Sequence, residues 1–128
     1  MEKIPISVSF HDNRGNITDL LENETINAVT LITFKEGAVR ANHYHKHTTQ
    51  WNYVLSGRIK LVAQFPGEKY TEIFLDSGEL AVTMPNESHA LQALEDSKVL
   101  ILTKGPRGGK EYETDTFRLE TPLISPNI

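Results

Sequence analysis

The feature that most constrains this chain is the alternation of histidines at His43, His45 and His47, between Gly37 and Gly57. Residues two apart in an extended strand point to the same face of a sheet. His43 and His45 are therefore expected to present two imidazoles side by side to whatever that face covers. Buried polar groups need partners, so consecutive inward histidines beside an apolar strand indicate a site rather than ordinary packing.

Two further side chains complete a candidate site. Gln50 precedes the strand predicted at 51–55, and His89 follows a turn-like segment at 84–88. Neutral imidazoles are good ligands for one divalent transition metal such as Zn, Fe, Ni or Mn, and an amide oxygen can complete the set. The candidate metal ligands, on the inside of a small barrel, are His43, His45, Gln50 and His89. His47 is expected to be an exposed loop residue, with a supporting or proton-shuttle role as the alternative.

Short β-branched segments recur along the chain with Gly or Pro turns between them, and no stretch keeps a helical period. Strands are predicted at 4–10, 17–22, 27–34, 51–55, 58–65, 70–75, 80–84, 89–94 and 98–103. We expect 51–55 and 58–65 to form a hairpin around Ser56-Gly57, and 111–120 to be a closing edge strand or a short helix. Such a series is typical of an all-β barrel or sandwich.

The chain has 128 residues, enough for one domain with its own core. We expect a single domain over 1–128, with a barrel core at about 27–103, N-terminal strands in 1–26 and a C-terminal loop and tail in 104–128. The basic, glycine-rich loop at 104–110 is expected to be a flexible connector, with an anion site as the alternative. The tail from 121 to 128 is expected to be a pendant arm or to pack on a second subunit.

Composition narrows the partners. The net charge is −4 with both signs mixed along the chain, so no basic nucleic-acid footprint is present. There is no cysteine, which excludes disulfides and thiolate chemistry and fits the cytoplasm. The first ten residues do not resemble a signal peptide, and no apolar run is long enough to span a membrane. We expect a small-molecule substrate or a second copy of the chain as partner, and no organic cofactor.

The strand after Gln50 alternates in character. Trp51 and Tyr53 share one face, and Gln50, Asn52 and Val54 share the other. If Gln50 points inward, the two aromatics face outward, towards the second sheet or a dimer partner. Asn52 and Gln50 would then line a polar cavity suited to a hydroxylated ligand, and both are candidate substrate-binding residues.

The histidine stretch resembles the first motif of the cupins, G-x5-H-x-H-x4-E-x6-G. Gly37, His43, His45 and Gly57 fall on this motif, and Gln50 stands at the glutamate position. The second cupin motif, G-x5-P-x-G-x2-H-x3-N, is matched in part. Its matching positions are Gly78 and His89, with Pro85 shifted by one residue.

This resemblance implies a single-domain cupin, a double-stranded β-helix of the jelly-roll type, which often forms a homodimer. It also implies a metal set of three histidines and one glutamine, as in cupins that act on unsaturated uronates. Gln50 in place of the glutamate removes the negative ligand. The site would then keep its positive charge and favour an anionic substrate.

A second resemblance is to the dTDP-4-keto-6-deoxyglucose 3,4-ketoisomerases, whose segment reads R-G-x-H-x-H-K-x-x-x-Q. The residues in register are Arg40, His43, His45, Lys46 and Gln50. This resemblance implies catalysis without metal, with His43 and His45 as the catalytic acid and base and Arg40 binding a diphosphate. Ala41 replaces the motif's glycine, and without a bulge Arg40 and His43 would point to opposite faces.

Three functions therefore remain open. The first, ranked slightly ahead, is a sugar or nucleotide-sugar isomerase or epimerase in which His43 and His45 transfer protons next to a carbonyl. The second is a metal-dependent cupin acting as a dioxygenase, lyase or uronate-converting enzyme. The third is a non-catalytic sugar-binding cupin. The fold supports many chemistries, so the choice among them depends on the site.

Overall fold

The structure of the protein is a computed structural model that describes residues 1–106 and 113–126. Its strands in chain order are β1 (Glu2–Ile4), β2 (Phe10–Asp12), β3 (Gly15–Ile17), β4 (Ala28–Phe34), β5 (Val39–Tyr44), β6 (Thr49–Ser56), β7 (Arg58–Gln64), β8 (Thr71–Asp76), β9 (Leu80–Thr83), β10 (Ser88–Ala93), β11 (Ser97–Lys104) and β12 (Phe117–Arg118). No helix within the described ranges is long and apolar enough to cross a membrane.

Two five-stranded antiparallel sheets enclose the core. One has the order β1-β9-β6-β11-β4 and the other β12-β5-β10-β7-β8, while β2 and β3 form a small separate hairpin. The main apolar cluster draws residues from both sheets, such as Val54 and Val99 from one and Ile59 and Leu61 from the other. The all-β prediction is confirmed, and the arrangement is the jelly roll that the cupin resemblance implied.

The inward positions change from polar to apolar along the strands. In β6 they run from Gln50 through Asn52 to Val54, and the antiparallel β11 pairs Thr103 with Gln50. In β10 the corresponding residue is His89, and the next positions on the same face are the apolar Leu91 and Ala93. The interior therefore has one polar end and one apolar end, and the register brings the polar residues of separate strands to the same end.

The predicted hairpin around Ser56-Gly57 is wrong. β6 lies between β9 and β11, whereas β7 lies between β10 and β8 in the other sheet. The chain crosses from one sheet to the other at Gly57, whose φ is 93°. A Cβ atom at this position would lie 2.6 Å from the carbonyl oxygen of Asp96, so the crossing requires glycine.

The N-terminal segment differs from its predicted strands. In place of one strand at 4–10, the chain forms β1 and β2 with an irregular stretch between them, and only Ile17 of 17–22 is in a strand. The reason is that this segment covers the outer face of the first sheet. Ile4, Ile6 and Leu21 pack against Trp51, which is only 5% exposed. Trp51 faces away from the main core as predicted, but its cover is this segment rather than the second sheet or a partner.

The C-terminal segment is also packed on the barrel. β12 pairs with β5 at its edge, which confirms a closing edge strand within 113–120. Ile124 is 7% exposed and packs with Val62 and Ala90, so up to residue 126 the tail is not a pendant arm. Residues 107–112, with most of the basic loop, and 127–128 lie outside the described residues. At the start of that loop, Lys104 forms an ion pair with Glu24.

Candidate functional site

Three histidines meet at the polar end of the barrel. His43 on β5 lies directly opposite His89 on β10, and His45 follows β5 by one residue. All three are buried. The ring centroid of His43 lies 4.7 Å from those of both His45 and His89, and one ring nitrogen from each of the three histidines lies within 4.8 Å of the other two. The structure thus brings together three of the four predicted metal ligands.

His89 is held as a neutral imidazole. Its Nδ1 atom donates to the carbonyl oxygen of Glu87 at 3.2 Å, which leaves the lone pair on Nε2. Burial, followed by the nearby charge of His45, lowers the pKa of His89 to about 3, against the opposing effect of the Glu87 carbonyl. Its Nε2 atom is buried and has no hydrogen-bond partner among the described residues. A buried lone pair of this kind is what a metal ion requires.

His45 is oriented by the C-terminal segment. Its Nδ1 atom donates to the backbone oxygen of Asp115 at 2.8 Å, so in the neutral ring Nε2 carries the lone pair. The Asp115 carboxylate accepts from the amides of Lys46 at 2.9 Å and His47 at 3.0 Å and from the Thr48 hydroxyl at 2.7 Å. One buried aspartate therefore fixes the whole loop that follows His45.

The Asp115 carboxyl is kept ionised by these contacts. Burial alone would raise its pKa, but hydrogen bonds from Thr48 and from the amides of Lys46 and His47, together with the charge of His45, bring the pKa below its usual value. The sequence placed Asp115 only within the segment at 111–120, expected to be a closing edge strand or a short helix. Its contacts join residues 67 to 70 positions apart, which no local pattern indicates.

Gln50 and Asn52 form a buried pair of amides. Gln50 is 5% exposed and Asn52 is fully buried. Gln50 Nε2 donates to Asn52 Oδ1 at 2.8 Å, and Asn52 Nδ2 donates to the backbone oxygen of Ala81 at 3.2 Å. Gln50 lines the same cavity as His43, whereas Asn52 lies behind it and is not among the lining residues. Direct contact of Asn52 with a substrate stays a prediction.

A bulge in β5 determines where Arg40 lies. The pairing of β5 with β10 shifts between His89 and Ala90, and Ala41 and Asn42 have φ values of 73° and 56°. The bulge therefore forms without glycine, contrary to the expectation for Ala41. Arg40 and His43 line the same cavity as a result.

The C-terminal segment stabilises this bulge. The side chain of Asn42 accepts from the amide of Leu123 at 2.9 Å and donates to the carbonyl oxygen of Ile124 at 2.9 Å. Asparagine is among the few residues that adopt this left-handed backbone at low cost, so residue type and tertiary contact act together at Asn42.

The cavity has a volume of about 500 Å³ and is lined by His43 of the three histidines, between the edge of β4 and the C-terminal segment. Its apolar wall includes Phe34, Leu91 and Ile101. Arg40 and Arg118 also line it, and both are exposed, so its mouth is positively charged. Such a site suits a small anion with a hydroxylated or apolar body.

The residues at the polar end fit a divalent transition metal. His43, His45 and His89 offer imidazole nitrogens, and the amide oxygen of Gln50 is a neutral fourth donor. In His45 and His89 the Nδ1 atom is bound to a backbone carbonyl, which directs Nε2 as a ligand. His47 is exposed, as predicted, and contacts Asp115 through its backbone.

A curated protein matches part of the chain. Over 76 residues the chain is 33% identical to the pectin degradation protein KdgF of Dickeya dadantii (strain 3937), which covers 59% of this chain and 64% of that protein. The matched part is thus less than two thirds of the relative.

Solved structures show the same fold. The sugar 3,4-ketoisomerase QdtA from Thermoanaerobacterium thermosaccharolyticum, in complex with TDP, has a TM-score of 0.73 at 22% identity, covering 93% of this chain and 88% of that one. The dTDP-4-dehydrorhamnose 3,5-epimerase from Sulfolobus tokodaii has a TM-score of 0.71 at 20% identity, covering 88% and 81%. At these identities the likeness establishes the fold alone. Residues 30–103, more than half of the chain, match the family described as the cupin domain, and the protein is therefore a member of the cupin family.

Proposed function

We propose that the protein is a metal-dependent cupin enzyme that acts on a small anionic sugar derivative, such as an unsaturated uronate. The observation that carries the proposal is the convergence of three buried imidazoles, each with one nitrogen within 4.8 Å of a nitrogen of the other two. His89 adds to it, because burying a neutral imidazole with no partner for Nε2 is costly unless a ligand satisfies that atom.

In this proposal His43, His45, Gln50 and His89 hold the metal. A divalent ion there would supply Lewis-acid polarisation of a substrate oxygen. Arg40 and Arg118 at the cavity mouth bind the substrate's carboxylate by charge-assisted hydrogen bonds. The neutral donor set leaves the positive charge of the site intact, which favours an anion over a neutral sugar.

The apolar wall of the cavity has a separate role. Phe34, Leu91 and Ile101 are buried and line one side of it. They limit the water around a bound substrate, which strengthens its contacts with the arginines.

The identity with a protein of pectin degradation supports a sugar acid as the substrate class.

One observation favours a second candidate, a metal-free isomerase of a nucleotide sugar. The bulge at Ala41 and Asn42 brings Arg40 to the cavity that His43 lines, as the ketoisomerase resemblance requires. His43 and His45 would then transfer the protons and Arg40 would bind the diphosphate. This candidate assigns no role to the buried Nε2 of His89, so we place it second.

Metal content distinguishes the two candidates. Untagged protein analysed by inductively coupled plasma mass spectrometry is expected to hold about one transition-metal ion per chain, because the four proposed ligands of a chain form one site. His89→Ala should lose that ion, while His47→Ala, an exposed histidine of the same stretch, should keep it.

Turnover then tests the substrate class. The metal-loaded enzyme should convert an unsaturated uronate and should lose activity on chelation. Protein that takes up no metal, yet exchanges deuterium into dTDP-4-keto-6-deoxyglucose, would contradict the proposal and support the isomerase instead.

A further inference from the structure

Gln50 and Asn52 form a buried pair of amides, and the structure determines which atom of each amide donates and which accepts. A backbone carbonyl can only accept, so the atom of Asn52 that faces Ala81 O at 3.2 Å is the nitrogen Nδ2. The other end of the Asn52 amide must then be the oxygen Oδ1. The oxygen and nitrogen of an amide side chain are distinguished by this kind of reasoning from neighbouring groups.

The same logic passes to Gln50. Asn52 Oδ1 can only accept, so the atom of Gln50 that lies 2.8 Å from it is the nitrogen Nε2. The remaining atom, the oxygen Oε1, is on the other side of the Gln50 amide. Gln50 also lines the cavity with His43, which makes its oxygen the group available to that site.

We infer that Asn52 is a positioning residue that orients the amide of Gln50 so that its oxygen, and not its NH2 group, is presented to the histidine site. A glutamine turned the other way would direct N–H donors at a bound cation, and these cannot serve as ligands. The direction comes from the sheet itself, because Asn52 and Ala81 are register partners in β6 and β9.

Burial makes this arrangement rigid. Asn52 is fully buried and Gln50 is 5% exposed, so neither amide can replace its partner with water by a small movement. Turning Gln50 over would place its oxygen against Asn52 Oδ1 and leave both acceptors without a donor. A buried pair of this kind strongly disfavours the turned state.

The hydrogen-bond direction can be tested in the metal-free wild-type protein by NMR. We expect a scalar coupling across the hydrogen bond from Gln50 Nε2 to the carbonyl carbon of the Asn52 side chain. The Gln50 side-chain protons should also exchange slowly with solvent, unlike those of Gln92, which is only half-buried. Absence of the coupling, with rapid exchange at Gln50, would overturn the inference.

Its consequence for metal binding rests on the proposed function and is tested by a double-mutant cycle with Co²⁺ titration. Asn52→Leu should weaken Co²⁺ binding by about 10-fold or more, as is typical for a residue that orients a ligand. In a Gln50→Glu background both oxygens can serve as ligands, so the same Asn52→Leu change should not weaken binding.

An equal loss in both backgrounds would mean that Asn52 acts by packing alone and would overturn the positioning role. Wild-type protein that takes up no Co²⁺ would contradict the proposed metal function, and the NMR result would still decide how the Gln50 amide is oriented. The two failures are therefore distinguishable.

Discussion

The two ends of the barrel interior are built from the same strands, but one contributes to stability and the other forms the candidate site. At the apolar end, Val54, Val99 and Ile59 are completely buried and belong to the main core cluster. At the polar end, His43 and His89 are buried almost as deeply, although burying a polar side chain costs free energy. The apolar end gains free energy from burial, whereas the polar end requires hydrogen bonds and bound ligands. Stability and function are therefore separated along each strand.

The largest expected effect on stability is at the apolar end. Leu61 has no exposed surface and belongs to the main core cluster. Leu61→Ala should lower the free energy of unfolding by about 2–5 kcal/mol, measured by urea denaturation, because a cavity remains. Metal affinity of the folded protein should be unchanged. A loss confined to metal binding would contradict the separation of the two ends.

At the polar end the expected effect is on affinity. His89→Leu should weaken metal binding by at least about 100-fold, because loss of a ligand exceeds the 10- to 100-fold typical of its outer partners. The free energy of unfolding of this variant at neutral pH should change by no more than about 1 kcal/mol. The substitution removes the hydrogen bond that Nδ1 makes, but it also removes the buried Nε2 atom, which has no partner among the described residues. Isothermal titration of metal-free protein checks the first expectation, and His47→Leu is the matched exposed control.

Asp115→Asn should have an intermediate effect. An amide cannot replace all the acceptors that Lys46, His47 and Thr48 use, so the free energy of unfolding should fall by about 1–3 kcal/mol. Metal affinity should also fall, because the loop after His45 is less well fixed. Glu113→Gln, an exposed acid close in sequence, is the control and should change neither quantity. Equal effects of the two substitutions would contradict the role given to Asp115.

Acid should destabilise the polar end first. The pKa of His89 is about 3 in the folded chain, against its ordinary value of 6.5, so below pH 6.5 the unfolded chain binds a proton that the folded chain does not. The stabilisation is therefore present above pH 6.5 and is lost as the pH falls towards 3, by about 1.4 kcal/mol per pH unit for one proton. Denaturation of metal-free protein at pH 4 to 6 should show a shallower slope for His89→Leu. An identical slope would contradict this explanation.

The smallest expected effect is at the bulge that shapes the cavity. Ala41 has a φ of 73°, which costs a residue with a Cβ atom but not glycine. Ala41→Gly should raise the stability by about 0.5–1 kcal/mol, after the greater flexibility of glycine in the unfolded chain is subtracted. Ala38→Gly is the control, because Ala38 is not among the described residues with positive φ, and it should destabilise. Thermal unfolding of both variants checks the difference in sign.

The alternation of His43 and His45 was sufficient to predict a shared face, because the two-residue period of a strand is a local property. The all-β class and eight of the main strands, β4 to β11, also follow from local composition and turns, apart from the histidine strand's exact bounds. The sheet partners of β6 and β7 could not be predicted from these local signals. A glycine turn between two strands is equally compatible with a hairpin and with a crossing between sheets, and contacts with Asp96 and Ser97 decide between them.

The residue types that could form the site, namely the histidines at 43, 45 and 89 and the glutamine at 50, are evident from the sequence. How these side chains are held depends on contacts that form only in the folded chain. Asp115, Asn42 and Asn52 act through partners in other strands or in the C-terminal segment. The direction of a hydrogen bond, the closure of a bulge and the burial of a lone pair depend on distant groups that meet only after folding. These long-range contacts cannot be predicted from a local period or motif of the sequence.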